Sequence, residues 1–180
     1  MDLPTRQRCV SKTELNQNVM TDRIIDKMIR YFGTDVRRIN HALKVYGFAS
    51  CIARREKLSD NEILIVDITA ILHDIGIKEA EKKYHSNSGH YQEIEGPSIA
   101  RDLLSEINLD IEILDRICFI IGHHHSYQKI DGLDFQILVE ADFLVNIHED
   151  ELSRHSIESI QKKYFKTQSG ISMIESIYKY

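Results

Sequence analysis

From Ser59 to Gly76 the chain reads SDNEILIVDITAILHDIG. If this stretch is a helix, Ile63, Ile65, Val66, Ile68, Ala70, Ile71 and Leu72 leave it almost no polar face. A helix apolar on every side must be surrounded by the rest of the chain, so this segment is the expected centre of the core. Ser59 or Asp60 can cap its start. It closes on His73-Asp74-Ile75-Gly76, with Gly76 as the expected C-terminal breaker.

The surrounding sequence supplies helices to do this. Strand-like alternation is nearly absent and a 3.6-residue period recurs throughout. One helix is expected over about 13–32, stopped by Gly33, and a second over about 35–57. The second has apolar stripes on two sides: Ile39, Ala42, Leu43, Tyr46, Ala49 and Ala53 form one, and Val45, Phe48 and Ile52 form the other, in line with His41. After the central helix, residues 77–91 read as an exposed loop or a frayed helix followed by a loop. Further helices are expected over about 95–107, with Pro97 in the first turn, over about 110–122, and over about 133–147. The segment 150–180 reads as one or two helices broken near Gly170. The expected architecture is all-α, a bundle of about six to eight helices without a sheet. Its divisions are an N-terminal helical segment (1–34), a core domain (35–149) and a C-terminal helical tail packed on the core (150–180).

Composition narrows the function. A chain of 180 residues with 42% apolar and 28% charged residues can bury a core without staples. A net charge of −5 argues against general nucleic-acid binding, which needs a basic surface. Cys9, Cys51 and Cys118 are odd in number and lack metal-type spacing, so reduced thiols in the cytoplasm are expected. No signal core stands at the start, and the apolar runs are too short to cross a bilayer. No membrane partner is expected, and a homodimer is compatible with the sequence.

Three features break the apolar pattern. His41 lies on an apolar stripe, His73-Asp74 closes the most hydrophobic helix, and Asp142 interrupts the stripe Phe135, Leu138 and Val145. Each alone has an ordinary explanation, as a satisfied core histidine or an ion-paired aspartate. Together, two imidazoles and two carboxylates in one core could be reconciled by a divalent cation.

This order of residues resembles the HD superfamily of metal-dependent phosphohydrolases: a histidine in RINHALKVYGFA, a His-Asp pair in ITAILHDIG and a distant aspartate in ILVEADFLVN. The resemblance covers about 35–147. It implies a helical fold, a metal held by His41, His73, Asp74 and Asp142, and hydrolysis of a phosphomonoester, nucleotide or phosphodiester by metal-activated water. Asp74 and His73 are the implied catalytic pair. Mn, Fe, Co, Ni, Mg and Zn all suit such a donor set.

Some members bind a second metal through further histidines. His123 and His124 in IIGHHHSY look like that element. Gln92 and Glu95 stand where such members place another histidine, and Glu95 is the expected substitute ligand; otherwise the site holds one metal. His125, His85, His148 and His155 are expected at the surface. Asp67 is expected either to orient a ligand or to form a buried salt bridge. Substrate contacts are expected from Arg37, Lys44, Lys78, His90 and Gln92, with Arg38 also near the face of His41. The implied partner is a small phosphorylated molecule, a nucleotide foremost. Two other readings remain at this point: a non-catalytic metal- or nucleotide-binding sensor, and a di-iron oxygenase on the same scaffold.

Overall fold

The computed structural model describes residues 12–178, with side chains from residue 19 onward; Cys9 lies outside them. Among the described residues there are nine α-helices, a short 3-10 turn at Tyr127–Lys129, and no strand. The all-α expectation holds.

Helix α3 (Asp60–Leu72) is the hub. Every residue from Leu64 to Leu72 is buried, and the helix packs against α1 (Lys12–Phe32), α2 (Val36–Arg55), α6 (Ile111–Ile121) and α7 (Leu133–Glu149). Burying one large aliphatic side chain is worth roughly 1.5–3 kcal/mol, so a helix apolar on all sides is stable only inside such a ring. Its start is a reciprocal cap. Ser59 Oγ accepts from Glu62 N at 3.4 Å, and Glu62 Oε2 accepts from Ser59 N at 2.8 Å. Helix α2 is capped by Asp35, which accepts from Arg38 N. Helix α1 ends at Gly33, whose φ of +65° suits glycine.

On the far side lie α4 (Ile77–Tyr84) and α5 (Gly89–Leu104). Residues 77–84 are a true helix because Ala80 is buried under them; only 85–88 is loop. Helix α5 starts six residues before the expected position. Pro97 therefore sits in its interior, not its first turn. Lacking an N–H, Pro97 leaves the Glu93 carbonyl without its helical donor. The Pro97 ring packs where α6 ends, and a Cβ on Gly122 would lie 3.0 Å from its Cγ.

Gly76 also differs from expectation. Its backbone is right-handed, and it is needed for space: a Cβ there would strike the backbone of Gln92 and Gly96 on α5. The tail forms α8 (Arg154–Tyr164) and α9 (Gln168–Tyr178). The break falls at 165–167 rather than at Gly170, which stands in the first turn of α9 because a Cβ there would collide with the Glu140 carboxylate. Phe165 and Ile174 of the tail are buried in the same core cluster as α3.

Candidate metal centre

Helices α2, α3 and α7 converge on one point, and the ends of α3 and α6 bring a second group beside it. His41 and His73 are buried, and their Nε2 atoms face each other at 3.2 Å. The other ring nitrogens fix the tautomers. His73 Nδ1 donates to the Ala70 carbonyl at 2.9 Å and His124 Nδ1 to the Ile121 carbonyl at 2.7 Å. His41 Nδ1 lies 3.0 Å from Glu149 Oε2, and Lys44 holds the other Glu149 oxygen at 2.6 Å. With Nδ1 carrying the proton in all three rings, each Nε2 offers a lone pair inward.

Two carboxylates meet those lone pairs. Asp142 Oδ1 is 3.2 Å from His41 Nε2 and 3.6 Å from His73 Nε2. Asp74 Oδ2 is 3.6 Å and 3.5 Å from the same two atoms, and Asp74 Oδ1 is 3.4 Å from His124 Nε2. Asp74 thus spans two groups, each with donor atoms within 4.8 Å of one another: His41, His73 and Asp142 in one, and Asp74, His124 and His125 in the other.

These atoms fit a divalent cation. Facing lone pairs repel unless a proton or a cation lies between them. The Nε2 atoms of His124 and His125 are buried without a hydrogen-bond partner, which is costly unless something binds them. Metal bonds of about 2.0–2.2 Å to nitrogen and oxygen leave neighbouring ligand atoms about 3–4 Å apart, the spacing found here.

Without a cation, protons must fill the role. Burial opposes charge on His73, but Asp74 and Asp142 outweigh it and push its pKa up to about 9. Burial likewise opposes charge on His41, and Asp142 reverses the balance upward. Burial would raise both aspartates, yet His73 and His124 hold Asp74 below the usual carboxylate range, and His41 and His73 do the same for Asp142. His125 moves the other way, down to about 4, through burial and the neighbouring His124.

A family model for the HD domain matches residues 38–161. This chain belongs to the HD-domain family. A crystal structure described as a predicted HD superfamily hydrolase, from an uncultured Thermotogales bacterium, is similar to it, with 26% identity and a TM-score of 0.64 over 86% of this chain and 83% of that one. Among curated proteins no relative matches.

Within the HD domain, the four residues singled out first, His41, His73, Asp74 and Asp142, stand together. The histidine run is arranged differently from expectation. His123 Nδ1 bonds to the Phe119 carbonyl at 2.7 Å and its ring lies on Phe119. It belongs to neither donor group; His124 and His125 do. His124 lies in the turn just past α6, folded back on the Ile121 carbonyl, and the tilted His125 ring lies against it with centroids 4.0 Å apart. Gly89, where a Cβ would strike the ring, leaves room for His125. Glu95 is also elsewhere, bound to Lys83 at 2.6 Å and to Tyr84 Oη at 2.8 Å.

A cavity of about 340 Å3 opens beside His41 and Asp74. Asp35, Arg37 and Arg38 border it from the start of α2, with Ile77 and Asn87 opposite. The end of α7 supplies Asn146, Glu149 and Asp150. Of the expected substrate contacts, Arg37 lines it, as does Arg38, which is already paired with Asp35 and Glu81. Lys44 is drawn to Glu149. Lys78 donates to the Tyr31 carbonyl, His90 is exposed beside Tyr91, and Gln92 is buried and donates to the Asn87 carbonyl. His85, His148 and His155 are exposed, as expected. Asp67 pairs with Arg54 at 3.4 Å, away from the centre.

Sequence reasoning missed Glu149. It follows Asp142 by seven residues, two turns along the same face of α7, and that spacing was the available signal.

Among the described residues, no helix is long and apolar enough to cross a membrane.

Proposed function

We propose that this HD-domain protein hydrolyses phosphate esters with divalent cations, one held by His41, His73, Asp74 and Asp142, and a second by Asp74, His124 and His125. The observation that carries this reading is the tautomer pattern. Three imidazoles, one on α2 and two just past the ends of α3 and α6, are each tied at Nδ1, so that the Nε2 atoms of His41 and His73 point at Asp74 and Asp142 and that of His124 at Asp74. Such outer partners are how proteins orient metal-binding histidines. The similar crystal structure, itself described as a predicted hydrolase, supports the same class.

A bound cation supplies Lewis acidity toward phosphoryl oxygens and lowers the pKa of water to about 7. In the reaction, the water oxygen bonds to phosphorus and the bond from phosphorus to the ester oxygen breaks. One water proton ends on the departing alcohol, giving alcohol and phosphate. Asp74, at the cavity floor and held ionised, accepts a hydrogen bond from the water and orients it. Glu149, steadied by Lys44, keeps the His41 ring in its tautomer. Arg37 offers charge to the phosphoryl group.

The test pairs metal content with turnover. His73→Ala and Asp74→Ala should lose tightly held metal and hydrolysis of p-nitrophenyl phosphate together. Full metal content in both variants would remove the metal assignment. A metal-loaded wild type inactive on every phosphate ester would leave the sensor reading in its place.

A further inference from the structure

The cavity beside the metal centre has a chemistry of its own, and it differs from what a nucleotide requires. Nucleobases are held by stacking on aromatic rings or by apolar slots. Of the ten described residues lining this cavity, none is Phe, Tyr or Trp, the His41 ring is committed to the metal centre, and only Ile77 is apolar. Of the residues outside the described ones, 1–11 contain no Phe, Tyr or Trp, and Tyr180 is the one aromatic. Among the described residues, no tyrosine lines it. Tyr127 and Tyr164 line a separate cavity that shares no residue with this one and none with either donor group.

The hydrogen-bonding groups at the cavity divide into engaged and free. Arg38 is engaged by Asp35 at 2.9 Å and by Glu81 at 2.6 Å, and Glu149 by His41 and Lys44. The side chains of Arg37, Asn87, Asn146 and Asp150 have no partner among the described residues and are at least partly exposed. Arg37 sits one turn before His41 on α2, and Asn146 one turn after Asp142 on α7, so both project from the faces that carry the centre. One free cation matches one phosphate. Two amides and a carboxylate that all accept hydrogen bonds match vicinal hydroxyls. A second and third phosphate would meet Asp150, a like charge. The volume, about 340 Å3, is near the lower end for ligand pockets.

We infer that the substrate carries a single phosphate esterified to a small hydroxyl-rich, non-aromatic unit, a sugar or polyol phosphate. Arg37 grips the phosphate, and Asn87, Asn146 and Asp150 take the hydroxyls. This rests on the phosphohydrolase reading and names its substrate class in place of the nucleotide expected from sequence. The products are the free sugar or polyol and inorganic phosphate.

The test compares substrates that share a sugar. Metal-loaded full-length protein is assayed for phosphate release from ribose 5-phosphate, glucose 6-phosphate and AMP, and for any breakdown of ATP. The kcat/KM for the best sugar phosphate should exceed that for AMP by about tenfold or more, and Asp150→Ala should lower it about tenfold, the effect of losing one well-placed hydrogen bond. AMP or ATP turned over as fast as the sugar phosphates would overturn the inference and leave the hydrolase intact. Should no ester be hydrolysed, the hydrolase reading fails by itself. The shift in melting temperature on adding ribose 5-phosphate or AMP to the metal-loaded protein then decides the pocket, with a larger shift for AMP counting against a polyol site.

Discussion

Helix α7 carries two inward-facing carboxylates two residues apart, and they live in opposite circumstances. Glu140 is fully buried, and donors surround it. The backbone N–H groups of Lys166 and Thr167, the Thr167 hydroxyl and the Gln136 amide all donate to it. Asp142 meets two imidazole nitrogens whose protons point away. One acid closes a structural joint by fastening the turn between α8 and α9. The other faces groups that are reconciled only by an added cation or proton. Burial of an acid therefore says little about its role; the donors around it say much more. Their titration differs in the same way. Burial wins at Glu140 and raises its pKa despite the donors, whereas the histidines pull Asp142 down.

The largest expected effect separates the two by stability. Glu140→Ala strips acceptors from two backbone donors and should cost about 3–5 kcal/mol in metal-free protein. Added metal should still stabilise it by the wild-type increment, about 2.7 kcal/mol at a hundredfold excess over Kd. Asp142→Asn should do the reverse, folding normally and losing the metal increment. Thermal denaturation with and without metal reads both. A metal increment retained by Asp142→Asn, or lost selectively in Glu140→Ala, would erase the distinction.

The two acids also show what the sequence discloses. Asp142 is conspicuous because it interrupts Phe135, Leu138 and Val145 within an identifiable helix, and His41 and His73-Asp74 stand out likewise. Local pattern reaches them since the fold needs those helix faces inside. Glu140 interrupts the same helix, but its partners lie 26 and 27 residues further on, in a turn with no signature of its own. Glu149 lies just past the expected end of its helix, where nothing local marks it, and Lys44, expected to meet substrate, is held 2.6 Å from it by the fold. Pro97 was misleading because the start of a helix is where a proline costs least, and the close approach of α5 to Gly122 is a tertiary fact.

A smaller effect sharpens the comparison through pH. In metal-free protein the His73 pKa rises from 6.5 to about 9. A raised histidine contributes stability that is complete below its unfolded value and disappears as pH climbs through the folded one. Asp74 and Asp142, shifted down, contribute above the ordinary carboxylate range and lose that contribution as the solution is acidified toward their folded values. Chelated protein should therefore lose stability between pH 6.5 and 9. Metal competes with the same protons, so the melting difference between loaded and chelated protein should widen over that interval. Parallel curves would mean that the protons on the histidines and the cation do not share a site.

The smallest effect is expected within the histidine run, where neighbours of identical chemistry are sorted only by the fold. His123 turns its Nδ1 to the Phe119 carbonyl and lays its ring on Phe119, outside both donor groups. His124 and His125 bring buried, unpartnered Nε2 atoms to the centre, and both lie with Asp74 in one donor group. Removing His123 should leave the bound metal unchanged and shift stability by no more than about 0.5–1 kcal/mol, the scale of one partly exposed hydrogen bond. His124→Ala or His125→Ala should each lower the metal content from about two ions to one, if Asp74 bridges a pair as two-metal sites do. Metal analysis of the three single variants against wild type is sufficient. A protein that holds one ion throughout would show that His124 and His125 serve the substrate or the fold. Loss of an ion on changing His123 would move the second site to the other face of the run.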